Sequence, residues 1–137
     1  MSDRPDNPIE NLRILIVEDN PVNQHVTGKL MEKLGFSFVL AENGRDAIFK
    51  LESQEFDLIL MDLMMPEMDG IETTRLIRSS DSAYASVPII ALTANVLPSI
   101  ERTCRDVGMN DFMDKPVTYA RMKALLDSWV GTIRADR

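Results

Sequence analysis

From Leu12 onward, short apolar runs alternate with segments whose apolar residues recur at helical spacing. The runs are Ile14 to Val17, Phe38 to Ala41, Leu58 to Met61, Ile89 to Leu92, and a weaker one at Phe112 and Met113. They are read as five strands. Between the first two, Val22, Val26, Leu30 and Leu34 follow one another at four-residue steps and Gly35 stops the segment, which predicts an amphipathic helix. Asn43 or Gly44 opens a second helix carrying Ala47, Ile48 and Leu51, while Ile71 to Ile77 and Leu97 to Val107 predict a third and a fourth. Thr118 is a natural N-cap for a fifth, with Met122, Leu125, Leu126, Trp129 and Val130 on one face.

Runs such as LILM and IIAL are apolar at successive positions, as in strands covered on both faces. The expected fold is therefore α/β: a five-stranded parallel sheet, doubly wound, between two layers formed by five helices. In such sheets ligands bind beyond the carboxyl ends of the strands. The first eleven residues carry prolines and asparagines with little that is apolar and predict a mobile tail.

Composition narrows the classes of function. At 137 residues there is room for one domain, long enough to need neither disulfides nor structural metal. Twenty-two acidic against 15 basic residues give a net charge of -7, which repels phosphate backbones and anionic lipid headgroups. Nucleic acid and membrane are not expected partners. The single Cys104 has no internal disulfide partner and lies on a helical stripe with Leu97, Ile100 and Val107, as a buried thiol would. Neither a membrane span nor the apolar centre of a signal peptide is visible, so the expected location is cytoplasmic.

The chemistry sits just past the strands. Glu18 and Asp19 follow the first, Asp62 the third, Thr93 the fourth, and Lys115-Pro116 the fifth segment. In a parallel sheet these positions share one rim. Taken singly, an acidic pair can cap a helix, a threonine can satisfy backbone groups, and a Lys-Pro pair can turn the chain. Together they assemble three carboxylates, a hydroxyl and an ammonium. Two unit charges about 4 Å apart repel by roughly 1 kcal/mol in water and about 4 kcal/mol at an effective dielectric near 20, so such a cluster calls for a cation. Mg²⁺ with oxygen ligands fits, and a carboxylate held beside Mg²⁺, lysine and threonine is equipped to attack phosphorus. The product would be an aspartyl phosphate.

With these residues assembled, residues 12 to 131 resemble the receiver domain of two-component response regulators. The resemblance rests on ILIVEDNPVNQ, LILMDLMMPEMDG, PIIALTAN and DFMDKP, in that order and at these spacings. EDNPVNQ with MDLMMPEMDG is similar to receivers that work with hybrid histidine kinases and phosphorelays. The resemblance implies Asp62 as the phosphoacceptor, Glu18 and Asp19 as the acidic pair that holds Mg²⁺, and Met64 as a backbone-carbonyl ligand. It implies Thr93 as the switch hydroxyl, Lys115 as the phosphate-contacting lysine with a cis bond into Pro116, and Phe112 at the aromatic switch position. Phenylalanine there lacks the phenolic donor that many members carry, so a switch would work through packing.

The implied function is a module that takes a phosphoryl group from a histidine kinase or histidine-phosphotransfer protein and then remodels a surface for a downstream protein target. Such a domain catalyses its own phosphorylation and dephosphorylation. A haloacid-dehalogenase-like phosphatase would place a second acid two residues after the nucleophile, where Met64 stands. An unphosphorylated interaction module is the remaining alternative, against which the intact polar set argues. His25 is expected on a solvated helix position. Residues 132 to 137 read as a C-terminal tail with no output domain, suggesting a stand-alone regulator or phosphorelay shuttle, with a domain excised from a larger kinase as the other possibility.

Overall fold

The computed structural model describes residues 12–63, 69–94 and 97–135, with side chains through 133. The strands are β1 (Arg13–Val17), β2 (Ser37–Ala41), β3 (Leu58–Asp62), β4 (Ile89–Thr93) and β5 (Asp111–Asp114). The helices are α1 (Pro21–Leu34), α2 (Gly44–Ser53), α3 (Gly70–Arg78), α4 (Pro98–Asp106) and α5 (Tyr119–Ala135), with one 3₁₀ turn at Ala83–Ser86. All neighbouring strands pair in parallel, in the order β2-β1-β3-β4-β5. This is the doubly wound sheet expected from the apolar runs.

Strand alternation divides the core in two. Leu15, Val17, Ile59, Met61, Ile89 and Ala91 meet Ala47, Leu51, Ile77 and Cys104 on the α2–α4 side. Ile14, Ile16, Leu58, Leu60, Ile90, Leu92 and Met113 meet Met31, Met122, Leu126, Val130 and Ile133 on the α1/α5 side. Every residue of β3 and β4 is buried. Helix starts follow the side-chain chemistry: Asn20, Asn43 and Asp69 each accept from backbone N–H groups of the first turn of α1, α2 and α3. Thr118 Oγ1 accepts from Arg121 N at 3.3 Å, as expected for the cap of α5.

Two expectations need correction. The Val22, Val26, Leu30, Leu34 stripe turns toward the core only at its end: Val22 is 69% exposed and Val26 45%, Leu34 packs against the α1/α5 core, and the fully buried residues are Thr27, Gly28 and Met31. Steps of four residues overshoot a 3.6-residue turn by about 40° each, so the stripe winds around the helix. The second correction concerns the boundary at 131. Helix α5 continues through 135, and Ile133 extends the buried stripe of Met122, Leu126 and Val130. The expected tail at residues 1–11, and the last two residues, lie outside the described residues.

Candidate functional site

The parallel topology delivers the polar residues to one rim. Glu18 leaves β1 with its N–H on the Ala41 carbonyl at 3.0 Å, Asp62 and Thr93 end β3 and β4, and Lys115 follows β5 with its N–H on the Thr93 carbonyl at 2.7 Å. Carboxylate oxygens of Glu18, Asp19 and Asp62 all lie within 4.8 Å of one another. The Lys115 ammonium is 3.3 Å from Glu18 Oε1 and 3.3 Å from Asp62 Oδ1. Glu18 and Asp62 are buried, and Asp19 is partly open to solvent. Met64 lies outside the described residues, as do Met65 and Met68.

One ammonium does not balance three carboxylates. Burial first, then a hydrogen bond and charge repulsion from Asp62, push the Glu18 carboxyl up to about 7, against weaker opposition from the Asn20 N–H and Lys115. Near neutral pH the rim therefore competes between a proton and a cation. Three clustered oxygen donors are the hard ligand set that a divalent ion such as Mg²⁺ takes.

Thr93 and Phe112 belong to the other face of the sheet end. Phe112 pairs in register with Ala91 and packs into the α2–α4 core, and Thr93 stands two residues beyond Ala91 on β4. Thr93 is paired in register with Asp114, two residues beyond Phe112. The Lys115–Pro116 bond is cis, as the resemblance implies. His25 is exposed and Cys104 buried, both as expected.

Residues inside the quoted motifs, beyond the expected site residues, also build the rim. Gln24 Nε2 donates to the Glu18 carbonyl at 2.6 Å, and the Asn20 N–H donates to Glu18 Oε2 at 3.2 Å. Gly70 starts α3 so close to the Asp62 backbone that a Cβ would stand 2.5 Å from the Asp62 carbonyl oxygen. An alanine there has to displace the strand that carries the central carboxylate. Beside the rim, a cavity of about 420 Å³ is lined by Glu18, Val26, Leu92, Lys115, Pro116 and Val117, among others. A larger depression of about 730 Å³ opens near Phe56, Tyr84 and Pro88, and none of the expected site residues lines it.

The family model of the response regulator receiver domain matches residues 14–127. Among curated proteins, hybrid signal transduction histidine kinase A of Dictyostelium discoideum is 39% identical over 127 residues, covering 90% of this chain and 6% of that protein. The CAI-1 autoinducer sensor kinase/phosphatase CqsS of Vibrio cholerae is 39% identical over 118 residues, covering 86% of this chain and 17% of that protein. The chain thus spans a small part of the relatives it matches. Among solved structures, the receiver domain of a Pseudomonas aeruginosa sensor histidine kinase, with magnesium coordinated in its active-site cleft, is 42% identical with a TM-score of 0.80, covering 88% of this chain and 98% of that one. A response-regulator receiver domain of Saccharomyces cerevisiae, co-crystallised with the histidine phosphotransfer protein upstream of it, is 34% identical with a TM-score of 0.77, covering 86% and 88%. Among the described residues no helix is long and apolar enough to cross a membrane. A parallel sheet in the order β2-β1-β3-β4-β5, an acidic rim with one lysine, and these matches agree: the chain belongs to the response regulator receiver domain family.

Proposed function

We propose that this domain is a phosphoacceptor signalling module in which Asp62 takes a phosphoryl group from a phosphohistidine on a histidine kinase or phosphotransfer protein. The observation that carries this reading is the Lys115 ammonium, 3.3 Å from Asp62, beside three carboxylates whose oxygens cluster within 4.8 Å. Glu18, Asp19 and Asp62 fit Mg²⁺, and the resemblance implies that the Met64 carbonyl would be a further ligand. Bound there, Mg²⁺ supplies positive charge for the phosphoryl oxygens.

An Asp62 carboxylate oxygen forms the new bond to phosphorus as the phosphorus–nitrogen bond of the donor breaks, and the donor imidazole takes up a proton. Lys115 leaves its ion pair with Asp62 and contacts the transferred group. The Thr93 hydroxyl turns to the same oxygens. That movement changes the packing available to Phe112 and so the surface of α4, β5 and α5, where a downstream protein reads the state. The donor approaches over the exposed Val22 and Val26 and the apolar wall of Pro116 and Val117, next to the rim. We place the module in the cytoplasm.

The test is phosphotransfer from a labelled phosphohistidine donor to the native chain and to Asp62→Asn, each checked for folding by circular dichroism. Label on the native chain alone supports the assignment. Equal labelling of both removes Asp62 as the acceptor, and labelling of neither leaves the unphosphorylated interaction module.

A further inference from the structure

The Lys115 ammonium reaches Asp62 from a short turn between β5 and α5, and one side chain outside the rim grips that turn on both sides of the lysine. Arg121, in the first turn of α5, donates from Nη1 to the Pro116 carbonyl at 3.0 Å and from Nη2 to the Asp114 carboxylate. Its own N–H donates to Thr118 Oγ1, so the backbone that carries the guanidinium is anchored by the helix cap. Asp114 ends β5 opposite Thr93, which ties the bracket to the sheet. Besides the ion pairs of its ammonium, Lys115 is tied to the sheet by its N–H on the Thr93 carbonyl at 2.7 Å.

We propose that Arg121 is a positioning residue for Lys115, its guanidinium fixing the turn through Asp114 and Pro116 so that the ammonium is delivered to the phosphoryl site in one geometry. The inference rests on reading Lys115 as the phosphate-contacting residue. With side chains 41% and 48% exposed, the Arg121–Asp114 pair adds little stability as an ion pair alone. Its geometry is what matters. A planar fork spans two acceptors flanking the lysine, whereas an ammonium at 121 acts as a point charge and holds one of them at a time. The lysine stem is long and flexible, so a looser turn spreads its ammonium over positions that do not reach the transferred group. A misplacement of about 1 Å is enough for a loss of up to about a hundredfold in rate.

A double-mutant cycle on the full chain separates positioning from simple structural support. The rate of phosphorylation by acetyl phosphate with Mg²⁺ is measured for the native chain, Arg121→Ala, Lys115→Ala and the double variant, with Mg²⁺ affinity and the thermal midpoint of each. We expect Arg121→Ala to slow phosphorylation by about three- to tenfold with Mg²⁺ affinity within about twofold of native. Arg121→Lys should recover part of that rate. In the Lys115→Ala background the Arg121 substitution should have no further effect.

An equal loss from Arg121→Ala with and without Lys115 overturns the inference, as does a native rate in Arg121→Ala. If Lys115→Ala itself phosphorylates at the native rate, the reading of Lys115 fails and the inference falls with it. That outcome is distinct from a failure confined to Arg121.

Discussion

The two ends of the sheet both draw charge out of water, and they handle it in opposite ways. At the end away from the rim, the half-buried Arg78 guanidinium has an acceptor for each arm: the Gly108 carbonyl at 2.9 Å, the Ala85 carbonyl at 2.9 Å and Asn110 Oδ1 at 2.8 Å. Asn110 Oδ1 also accepts the Ile89 N–H at 2.9 Å, so the network closes onto β4. Gly108 is required twice, by its φ of +104° and because a Cβ would meet the Arg78 stem at 2.9 Å. Burial pulls the Arg78 pKa below its ordinary value, and the satisfied donors hold the charge in place. At the rim, three carboxylates face one ammonium and Glu18 is pushed to about 7. A charge with an acceptor on each nitrogen braces the fold, whereas a cluster left with surplus charge is poised to take up a cation or a phosphoryl group.

The largest effect that separates the two ends is expected from Arg78→Ala. Losing three charge-assisted bonds, and with them the side-chain donor of the Gly108 and Ala85 carbonyls, should lower the unfolding free energy by roughly 2–4 kcal/mol. Denaturant melts would show this, while Mg²⁺ affinity of the folded protein stays near native. An equal loss of Mg²⁺ affinity would mean that the two ends are not independent.

Glu18→Gln should act the other way round. Removing one of the crowded carboxylates relieves repulsion and stabilises the metal-free protein by about 1 kcal/mol, yet weakens Mg²⁺ binding by tenfold or more. Thermal melts with and without Mg²⁺ would read both signs in one experiment.

A pH series makes the same point without mutation. The Glu18 pKa is raised in the fold from 4.5 to about 7, so its contribution to stability is complete below pH 4.5 and lost as pH rises toward and through 7. The metal-free protein should lose stability over that interval, and saturating Mg²⁺ should offset the loss at and above neutrality. Mg²⁺ affinity should rise with pH up to about 7 and then level off, as the competing proton leaves. A flat profile in calorimetric titrations would show that Glu18 is not the titrating ligand.

The smallest effect concerns α3, between the two ends. Among the described residues Thr74 Oγ1 is buried and unpartnered, so Thr74→Val removes an unsatisfied hydroxyl and should leave the protein unchanged or stabilise it by up to about 1 kcal/mol. A marked destabilisation in denaturant melts would reveal a partner for that hydroxyl.

What could be read in the chain, and what could not, follows from where each contact sits. β3 and β4 were legible because burial on both faces demands unbroken apolar runs, and Glu18, Asp62, Thr93 and Lys115 converge because parallel strands share one polar end. The buried face of α1 was not legible, since it consists of Thr27, Gly28 and Met31, with Gly28 against the Phe38 ring, while the more hydrophobic Val22 and Val26 face outward. Arg78 and Arg121 escaped notice for a shared reason: both donate to backbone carbonyls, which leave no pattern in side-chain identity. The end of α5 was missed because a single buried Ile133 amid polar neighbours reads like a tail.

The proposed signalling requires that Asp62 become an acyl phosphate at a rim held by Glu18, Asp19 and Lys115. It is tested most directly by treating the native chain with acetyl phosphate and Mg²⁺, trapping the product by borohydride reduction, and locating the reduced residue by peptide mass spectrometry. Reduction is expected at Asp62, and chelating Mg²⁺ abolishes it. Reduction at another carboxylate, or none in a folded and Mg²⁺-loaded protein, would contradict it.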